Sequence, residues 1–267
     1  MKIPFFSSLL QREKQIGLCI EIASGTDVGL KRKRNEDNLL CLSGEESPPS
    51  VDAVLVVADG MGGHVDGDVA SQMAVDAVSR LIVNRLSEQE PHPDGWPDLL
   101  ARILEDANSQ IHKEALYRQQ AVPMGTTCTM AVVSSGTAYI AHAGDSRAYL
   151  YRNGNLTQLT TDHTWVQQQV SQGRLTTEEA SVHPRRNIVT QALGLGPDVE
   201  VETITTDLQS DDILLIFSDG VHGLIEDRYI ASILKMSSLV ESKDRLIARA
   251  KEEGGYDNIT LALARVY

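Results

Sequence analysis

The sequence predicts an α+β domain built on antiparallel β-sheet. Short segments typical of strands occur in blocks, and pairs of segments with helical spacing separate the blocks. The turns Ser134-Ser135-Gly136 and Asn153-Gly154 each join two neighbouring strand segments, as hairpin turns do. Because strand and helix do not alternate regularly, a parallel sheet of the dinucleotide-binding kind fits the sequence less well.

Each predicted element rests on a local pattern of apolar residues. Strand segments alternate with a period of two or form a short apolar run, whereas helical segments repeat apolar residues every three or four positions. Residues 91–97, bounded by prolines, separate the first two helices. Residues 162–190 are irregular, with a capping box predicted at Thr176 and Glu179, and we interpret them as a flap. The predicted strands are 16–23, 54–58, 127–133, 138–143, 147–152, 199–205, 213–217 and 259–266, and the predicted helices are 69–82, 100–111, 227–235 and 243–252.

Size and charge limit the class of protein. The chain has 267 residues, of which 42% are hydrophobic, enough to bury the core of one domain. We assign residues 1–15 to an N-terminal arm and residues 16–267 to a single domain. The formal net charge of −13 argues against nucleic acid or an anionic membrane as a partner, since both attract clustered Lys and Arg. The basic run 31–34 is either a local phosphate-binding element or a solvated, localisation-like patch.

Cysteines and apolar runs bear on location. Cys19, Cys41 and Cys128 are widely spaced and form no CxxC pair, so neither a disulfide framework nor a thiolate zinc site is indicated. The short apolar stretch near the N-terminus lacks a small-residue cleavage site. No apolar run approaches the ~18 residues that span a bilayer. These features predict a cytoplasmic location.

Acidic residues stand at the ends of predicted strands, and two of these ends share one pattern. The apolar runs 54–58 and 213–217 are followed by an Asp-Gly dipeptide, and a lone buried carboxylate needs a counter-charge. Oxygen-only ligands suit Mg²⁺ or Mn²⁺. For any single acid, a turn or a helix cap remains the alternative, and each Asp-Gly pair would then be a simple turn. The acids are Glu36, Asp37, Asp59, Asp145, Asp219 and Asp257.

Several common catalytic motifs do not occur. The sequence has no His-Glu-x-x-His, no Gly-Lys-Ser/Thr phosphate loop, no Gly-x-Ser-x-Gly elbow and no Gly-x-Gly-x-x-Gly. No cysteine is followed six residues later by arginine, so a phosphate-binding cysteine loop is also excluded.

Six short motifs that contain the strand-end acids follow one another along the chain. The motifs are Arg32-Lys33-Arg34-Asn35-Glu36-Asp37, Asp59-Gly60-Met61-Gly62-Gly63-His64, Gly125-Thr126-Thr127, Gly144-Asp145-Ser146-Arg147, Ser218-Asp219-Gly220 and Asp257-Asn258-Ile259-Thr260. In order and spacing they resemble those of the metal-dependent protein phosphatases, the PPM or type 2C Ser/Thr phosphatases. The similarity extends from about Ile16 to Val266, and the Met-Gly-Gly-His form of the second motif resembles the bacterial branch. The resemblance implies an antiparallel sandwich of two sheets flanked by pairs of helices, in four layers αββα.

The resemblance also implies a two-metal centre of Mn²⁺ or Mg²⁺. Asp59 would bridge the two ions, and the carbonyl oxygen of Gly60 would bind one of them. Asp219 and Asp257 would bind the other. A shared carboxylate offsets the repulsion between two cations ~3.5–4 Å apart, and a bridging water of lowered pKa would attack phosphorus in line.

The remaining acids are assigned by the same resemblance. Glu36 would reach a metal ion through water. Asp37 would not bind an ion itself but would support the residues that do. Asp145, together with Asp219, would bind a weaker third ion. Gly220 has no assigned chemistry beyond a turn.

Substrate-handling residues follow from the resemblance as well. Arg32 would bind the phosphate group, because its planar guanidinium matches two phosphoryl oxygens; Arg34 is the competing candidate. His64 would be the general acid for the departing Ser or Thr oxygen, or alternatively a helix-start residue bonded to the backbone. Ser146 and Arg147 would hold their loop. In the flap, His183, Arg185 and Arg186 would either touch substrate or only pack the flap.

The predicted function is therefore hydrolysis of phosphoserine and phosphothreonine in proteins. The expected partners are phosphorylated proteins, in particular a Ser/Thr kinase and its substrates, and the expected state is a monomer. A non-catalytic module that binds phosphoproteins is a second hypothesis, but such a module should have lost metal ligands. A hydrolase of small phosphate esters would use the same centre and is a third hypothesis.

Overall fold

Two antiparallel β-sheets form the centre of the computed structural model, which describes residues 19–48, 50–61, 66–88, 93–119 and 123–267. Seven α-helices in this part of the chain accompany eleven strands. The strands are β1 Ile20–Asp27, β2 Asp37–Ser43, β3 Ala53–Met61, β4 Gly125–Thr126, β5 Cys128–Ser134, β6 Thr137–Ala143, β7 Arg147–Arg152, β8 Asn155–Gln158, β9 Glu202–Asp207, β10 Ile213–Phe217 and β11 Ile259–Val266. The helices are α1 Gly67–Glu88, α2 Trp96–Arg118, α3 Trp165–Ser171, α4 Thr177–Ser181, α5 Asp219–His222, α6 Asp227–Met236 and α7 Leu239–Glu252.

The two sheets have the strand orders β1-β11-β10-β7-β8 and β2-β3-β5-β6-β9, and the short β4 pairs with β3. Every pairing between these strands is antiparallel. Helices α1 and α2 cover one sheet, and α5, α6 and α7 cover the other. The predicted fold class is confirmed, although the second face carries a short third helix besides the expected pair.

Continuous apolar runs occur where a strand is buried on both faces. In β3, Val54, Val56 and Ala58 pack under α1 and α2, while the alternate residues Leu55 and Val57 face the other sheet. In β10, the residues also alternate between the helix-covered face and the space between the sheets. Both strands lie inside the sandwich, which explains why neither shows a polar alternation.

The tight hairpin turns have the predicted positions. Ser135 and Gly136 have φ of 51° and 82°, and Asn153 and Gly154 have φ of 52° and 87°. Two consecutive residues with positive φ are typical of the type I′ turn, whose twist matches the strands it connects. The capping box at Thr176 is also confirmed, since its hydroxyl accepts from the Glu179 amide.

Several predicted boundaries are wrong. The first strand begins at Ile20 and continues to Asp27, while residues 1–18, including the predicted N-terminal arm, lie outside the described part. Strand β2 was not predicted at all. Helix α2 begins at Trp96, so Pro97 lies in its first turn, where a missing N–H costs nothing. Helix α7 starts four residues earlier than predicted because a capping box at Ser238 and Glu241 fixes its start.

The prediction that the first apolar strand ends on Asp59 is also wrong. Strand β3 runs through Asp59 and Gly60 to Met61, and Gly60 pairs with Thr126 of β4. By contrast, β10 does end before its acid, and Asp219 is the first residue of α5. Neither Asp-Gly pair is a simple turn.

Two further sequence expectations concern cysteines and membranes. Cys19, Cys41 and Cys128 are free, as predicted. None of the helices in the described residues is both long and apolar enough to cross a bilayer.

Candidate active site

A cavity of about 240 Å³ brings most of the predicted site residues together. Five carboxylates line it, and one basic side chain is present among the described lining residues. Every side chain that was predicted to bind a metal ion lines this cavity. The acids are Glu36, Asp59, Asp145, Asp219 and Asp257, and the base is Arg32.

Strand register places Asp37 beside Asp59, although Asp37 is not part of the cavity lining. Asp37 pairs with Asp59 across β2 and β3, and it is only 5% exposed. The hydroxyl of Ser218, which follows β10 in the other sheet, donates to Asp37 Oδ2 at 2.8 Å. The second oxygen, Oδ1, is buried without a hydrogen-bond partner in the described residues. Asp37 therefore joins the two sheets beneath the carboxylates.

Two threonines hold the backbone of Asp59. The Asp59 amide donates to Thr127 Oγ1 at 3.0 Å, and the Asp59 carbonyl accepts from the Thr127 amide and from the Thr126 hydroxyl, both at 2.9 Å. Thr127 itself lines the cavity. The Gly125-Thr126-Thr127 motif thus fixes the position of the central carboxylate, a role that the sequence analysis did not assign.

Gly60 occupies a space that no other residue fits. A Cβ there would lie 2.1 Å from the Gly67 carbonyl oxygen and 2.5 Å from that of Glu36. The Gly60 amide donates to the Glu36 carbonyl at 3.1 Å, which ties β3 to the start of β2. Glycine at this position therefore allows the start of α1 to pack against the cavity wall.

The interpretation of Gly220 as only a turn residue is wrong for the same physical reason. Gly220 lies in the first turn of α5, where a Cβ would come within 1.9 Å of the Asn258 carbonyl oxygen. This close approach places Asp219 at the helix start. The Oδ1 atom of Asp219 is buried and, within the described residues, has no hydrogen-bond partner.

Asn258 organises the loop that carries Arg32 and Glu36. Its side-chain amide donates to the carbonyls of Val28 and Arg34 at 3.0 and 2.9 Å, and its Oδ1 accepts from the Glu36 amide at 2.8 Å. Because Asn258 is almost fully buried, all three of these bonds are shielded from water. The motif Asp257-Asn258 thus contributes both a cavity carboxylate and the support of the opposite wall.

Arg32 pairs with a cavity acid in this structure. Its Nη2 donates to Asp257 Oδ2 at 2.6 Å, and the guanidinium is half exposed at the cavity rim. Arg34 does not line the cavity and offers its carbonyl to Asn258 instead. The geometry therefore favours Arg32 over Arg34 as the basic residue facing the acids.

Crowded burial shifts the carboxyl groups toward their protonated forms. Burial, reinforced by neighbouring acids, raises the pKa of Asp59 well above its usual value, that of Asp145 to about 7 and that of Asp219 to about 6. Burial also raises the pKa of Asp37 to about 7, against the lowering effect of Ser218. Such a site favours the binding of cations, which compensate the charges that burial penalises.

The flap contributes to the cavity through residues that the sequence analysis did not select. Asn187 and Val189 line it. His183 and Arg185 instead pack on Trp165, with the histidine ring centroid and the guanidinium carbon each 5.1 Å from the indole. Both therefore pack the flap. The other predicted residue, Arg186, lines an adjoining cavity, and the general acid expected at His64 lies outside the described residues.

The loop residues Ser146 and Arg147 have the predicted supporting positions. The Ser146 hydroxyl lies 2.7 Å from Thr127 Oγ1, and Arg147 forms two 2.7 Å bonds to the carboxylate of Asp162. These contacts connect the loop that carries Asp145 to the residue between β4 and β5 on one side and to the start of the flap on the other.

Comparison with known proteins identifies the family. The family model described as protein phosphatase 2C matches residues 33–262. The chain belongs to the protein phosphatase 2C family. The matched range contains every predicted site residue except Arg32, which precedes it by one position.

Relatives of the same family match over most of this chain. The serine/threonine phosphatase stp of Listeria welshimeri serovar 6b is 38% identical over 242 residues, which cover 89% of this chain and 92% of that protein. The structure of serine/threonine phosphatase Stp1 from Staphylococcus aureus has a TM-score of 0.85 and 32% identity, covering 93% of this chain and 95% of that one. The catalytic domain of PstP, solved in complex with 2 manganese ions, has a TM-score of 0.78 and 34% identity, covering 94% and 99% of the two chains.

Proposed function

We propose that this protein hydrolyses phosphoserine and phosphothreonine in proteins with the help of two Mn²⁺ or Mg²⁺ ions. The observation that carries the proposal is the cavity in which five carboxylates meet one guanidinium. The names of the relatives, which are serine/threonine phosphatases, support the substrate class.

The donor chemistry of the cavity fits divalent hard cations. The potential ligand atoms of the cavity are oxygens. Two buried carboxylate oxygens, Asp219 Oδ1 and Asp37 Oδ1, have no hydrogen-bond partner among the described residues. Asp59, the Gly60 carbonyl, Asp219 and Asp257 would hold the two ions. Asp257 lines the same cavity as the other acids, and its Oδ2 accepts from Arg32. We propose further that Glu36 binds through water and that Asp145 with Asp219 holds a weaker third ion.

The bound ions would supply a nucleophilic water of lowered pKa and positive charge next to the phosphoryl oxygens. The chain itself supplies orientation. Arg32 stands at the rim, where its two terminal nitrogens can exchange Asp257 for two phosphoryl oxygens. Asp37 keeps the ligands in place through Ser218. His64 is proposed to give a proton to the departing serine or threonine oxygen.

The surroundings of the cavity favour a protein substrate over a small ester. A second cavity of about 300 Å³ shares Asp145, Asn187 and Asp219 with the first and extends under the flap to Arg186. Residues flanking a phosphorylated side chain would have room there. We therefore propose phosphoproteins, including a Ser/Thr kinase and its substrates, as partners of a cytoplasmic monomer.

A substrate panel tests the proposal. Phosphate release from phosphoserine, phosphothreonine and phosphotyrosine peptides and from a small aryl phosphate is measured while Mn²⁺ is titrated. We expect Mn²⁺-dependent turnover with a higher kcat/KM for the first two peptides.

Two results would contradict parts of the proposal. Binding of phosphopeptide without turnover at any Mn²⁺ concentration would identify a binding module. Preference for the aryl phosphate over all peptides would identify a small-ester hydrolase.

A further inference from the structure

A second group of potential metal ligands lies outside the acid-lined cavity. His142 on β6 and Glu202 on β9 are direct cross-strand partners, so their side chains project from the same face of the sheet. The ring of His163, from the segment between β8 and α3, lies 4.8 Å from that of His142, centroid to centroid. One ligand atom from each lies within 4.8 Å of the others, and no other set of three or more His, Cys, Asp or Glu in the described residues does so.

Ligation by His142 needs one tautomer of its ring, and the neighbouring hydrogen bonds allow that tautomer. In it, Nδ1 carries the proton and donates to the Thr129 hydroxyl, 2.8 Å away, while this hydroxyl donates to the Ser146 carbonyl at 3.1 Å. Nε2 then carries a lone pair. Nε2 is fully buried and has no hydrogen-bond partner in the described residues. A buried acceptor of this kind needs a donor or a cation.

Both imidazoles are suited to ligation at neutral pH. Burial lowers the pKa of His142 to about 3 and also lowers that of His163, so the rings are neutral and no proton opposes a metal ion. His163 Nδ1 accepts from the Gly144 amide at 3.3 Å, the longest hydrogen bond around this cluster. The half-buried His163 ring can give up this contact and offer a nitrogen to a shared ion.

Glu202 is already oriented by its neighbours. The amide of Thr161 donates to one carboxylate oxygen at 2.9 Å, and the Thr161 hydroxyl donates to the other at 3.0 Å. Each oxygen keeps a lone pair for a metal ion. His163 and Glu202 also line a cavity of about 380 Å³, which gives an ion a route of entry and room for a water ligand.

We propose that His142, His163 and Glu202 form a binding site for one Zn²⁺ ion or a similar transition-metal ion. Two imidazoles and one carboxylate are a common zinc ligand set, whereas Mg²⁺ and Mn²⁺ prefer oxygen. This site and the acid-lined cavity therefore select different metals. The proposal of this zinc site does not depend on the proposed hydrolytic activity.

The geometry requires a modest contraction. Zinc bonds of ~2.1 Å place tetrahedral ligand atoms about 3.4 Å apart, so the present separations of up to 4.8 Å must shorten by about 1.4 Å at most. His142 sits rigidly in the sheet. The half-buried side chains of His163 and Glu202 supply the movement by rotation.

The position of the site gives a bound ion a structural role. The His163 amide donates to the Gly144 carbonyl at 2.7 Å, and its carbonyl accepts from the Thr190 amide at 2.7 Å. His163 thus lies where the flap leaves the sandwich and where it returns. An ion held there would link β6 and β9 to both ends of the flap, next to the loop that carries Asp145.

Zinc titration of the full chain tests the site. Protein stripped with EDTA and then saturated with Mg²⁺ is titrated calorimetrically with Zn²⁺, and the zinc environment is read by X-ray absorption at the zinc edge. We expect one Zn²⁺ with two imidazole ligands in the wild type. His163→Ala and Glu202→Gln should each weaken its binding by more than ~100-fold.

Two variants serve as controls. Glu200→Gln removes a carboxylate that lines the same cavity outside the ligand set, and Asp59→Asn alters the acid-lined cavity; both should retain the zinc. The proposal is overturned if wild-type protein binds no zinc, which would leave His142 and His163 as a metal-free pair. It is also overturned if both ligand variants bind zinc like the wild type. Should a variant fail to fold, as judged by circular dichroism in EDTA, the zinc-edge spectrum of the wild type decides alone.

Discussion

The floor and the rim of the acid-lined cavity are built in different ways. The floor, formed by Asp59, Asp145 and Asp219, stands on strands or directly beside them, and the Asp37–Ser218 bond joins the two sheets beneath it. The rim, formed by Arg32, Glu36, Asn187 and Val189, stands on a loop and on the flap. The difference suggests that the sandwich positions the groups for chemistry, while the loops position the groups that meet substrate.

The largest expected effect comes from the centre of the floor. Asp59→Asn removes a charge that both proposed ions share, so we expect kcat/KM for a phosphothreonine peptide to fall by about 10³-fold at saturating Mn²⁺. Asp207→Asn, at an exposed strand end, is the matched control and should behave like the wild type. Full activity of Asp59→Asn would show that the floor is not the catalytic centre.

A smaller effect is expected from the layer below the floor. Asp37→Asn keeps the shape but loses the charge behind the ligands, and it should weaken apparent Mn²⁺ affinity by about 10–100-fold. Ser218→Ala, which removes the donor to Asp37, should shift the Mn²⁺ dependence in the same direction by less. An unchanged Mn²⁺ titration of Asp37→Asn would separate this residue from the metal site.

The rim should respond in KM rather than in kcat. Arg32→Ala removes a charged contact to phosphate that is made before and during reaction, so KM should rise about 10–100-fold with kcat little changed. Arg32→Lys should recover only part of the loss because it lacks the planar fork. Arg34→Ala is the control. If Arg34→Ala raises KM and Arg32→Ala does not, the assignment of the basic run is reversed.

The smallest effect concerns pH and stability without metal. Folded Asp145 has a pKa of about 7 against an ordinary 3.8, so the native state holds extra protons between these values and loses stability as pH rises through them. In EDTA, the melting temperature of Asp145→Asn should therefore increase relative to that of the wild type as the pH rises from 4 to 7. A constant difference between the two melting temperatures across this range would mean that the pKa of Asp145 is not raised in the folded protein.

The floor could be predicted from the sequence because its acids occur in local motifs. Asp219 and Asp257 flank apolar strands that are recognisable alone, and the chain order of the motifs supplied the rest. The bounds of β3 could not be predicted, since its extension through Gly60 depends on pairing with β4, more than sixty residues away. Strand β2 was missed because its register with β3, which sets Asp37 opposite Asp59, is a tertiary property.

The residues of the rim and of the histidine cluster were harder to predict from the sequence, because their positions also depend on tertiary structure. Asn187 reaches the cavity through the path of the flap, and no local pattern marks it. His142 and Glu202 become neighbours only through the register of β6 and β9, sixty residues apart in the chain. Asn258 was part of a recognised motif, but its three loop contacts follow from burial and not from the motif itself.

The most direct test of the central claim measures bound Mn²⁺ and phosphate release on the same sample. Free Mn²⁺ is followed by electron paramagnetic resonance while a phosphothreonine peptide is hydrolysed, with Asp59→Asn in parallel. We predict that activity appears as the second ion binds per chain and that Asp59→Asn binds neither ion tightly. Full activity in EDTA, or two tightly bound ions in Asp59→Asn, would contradict the account.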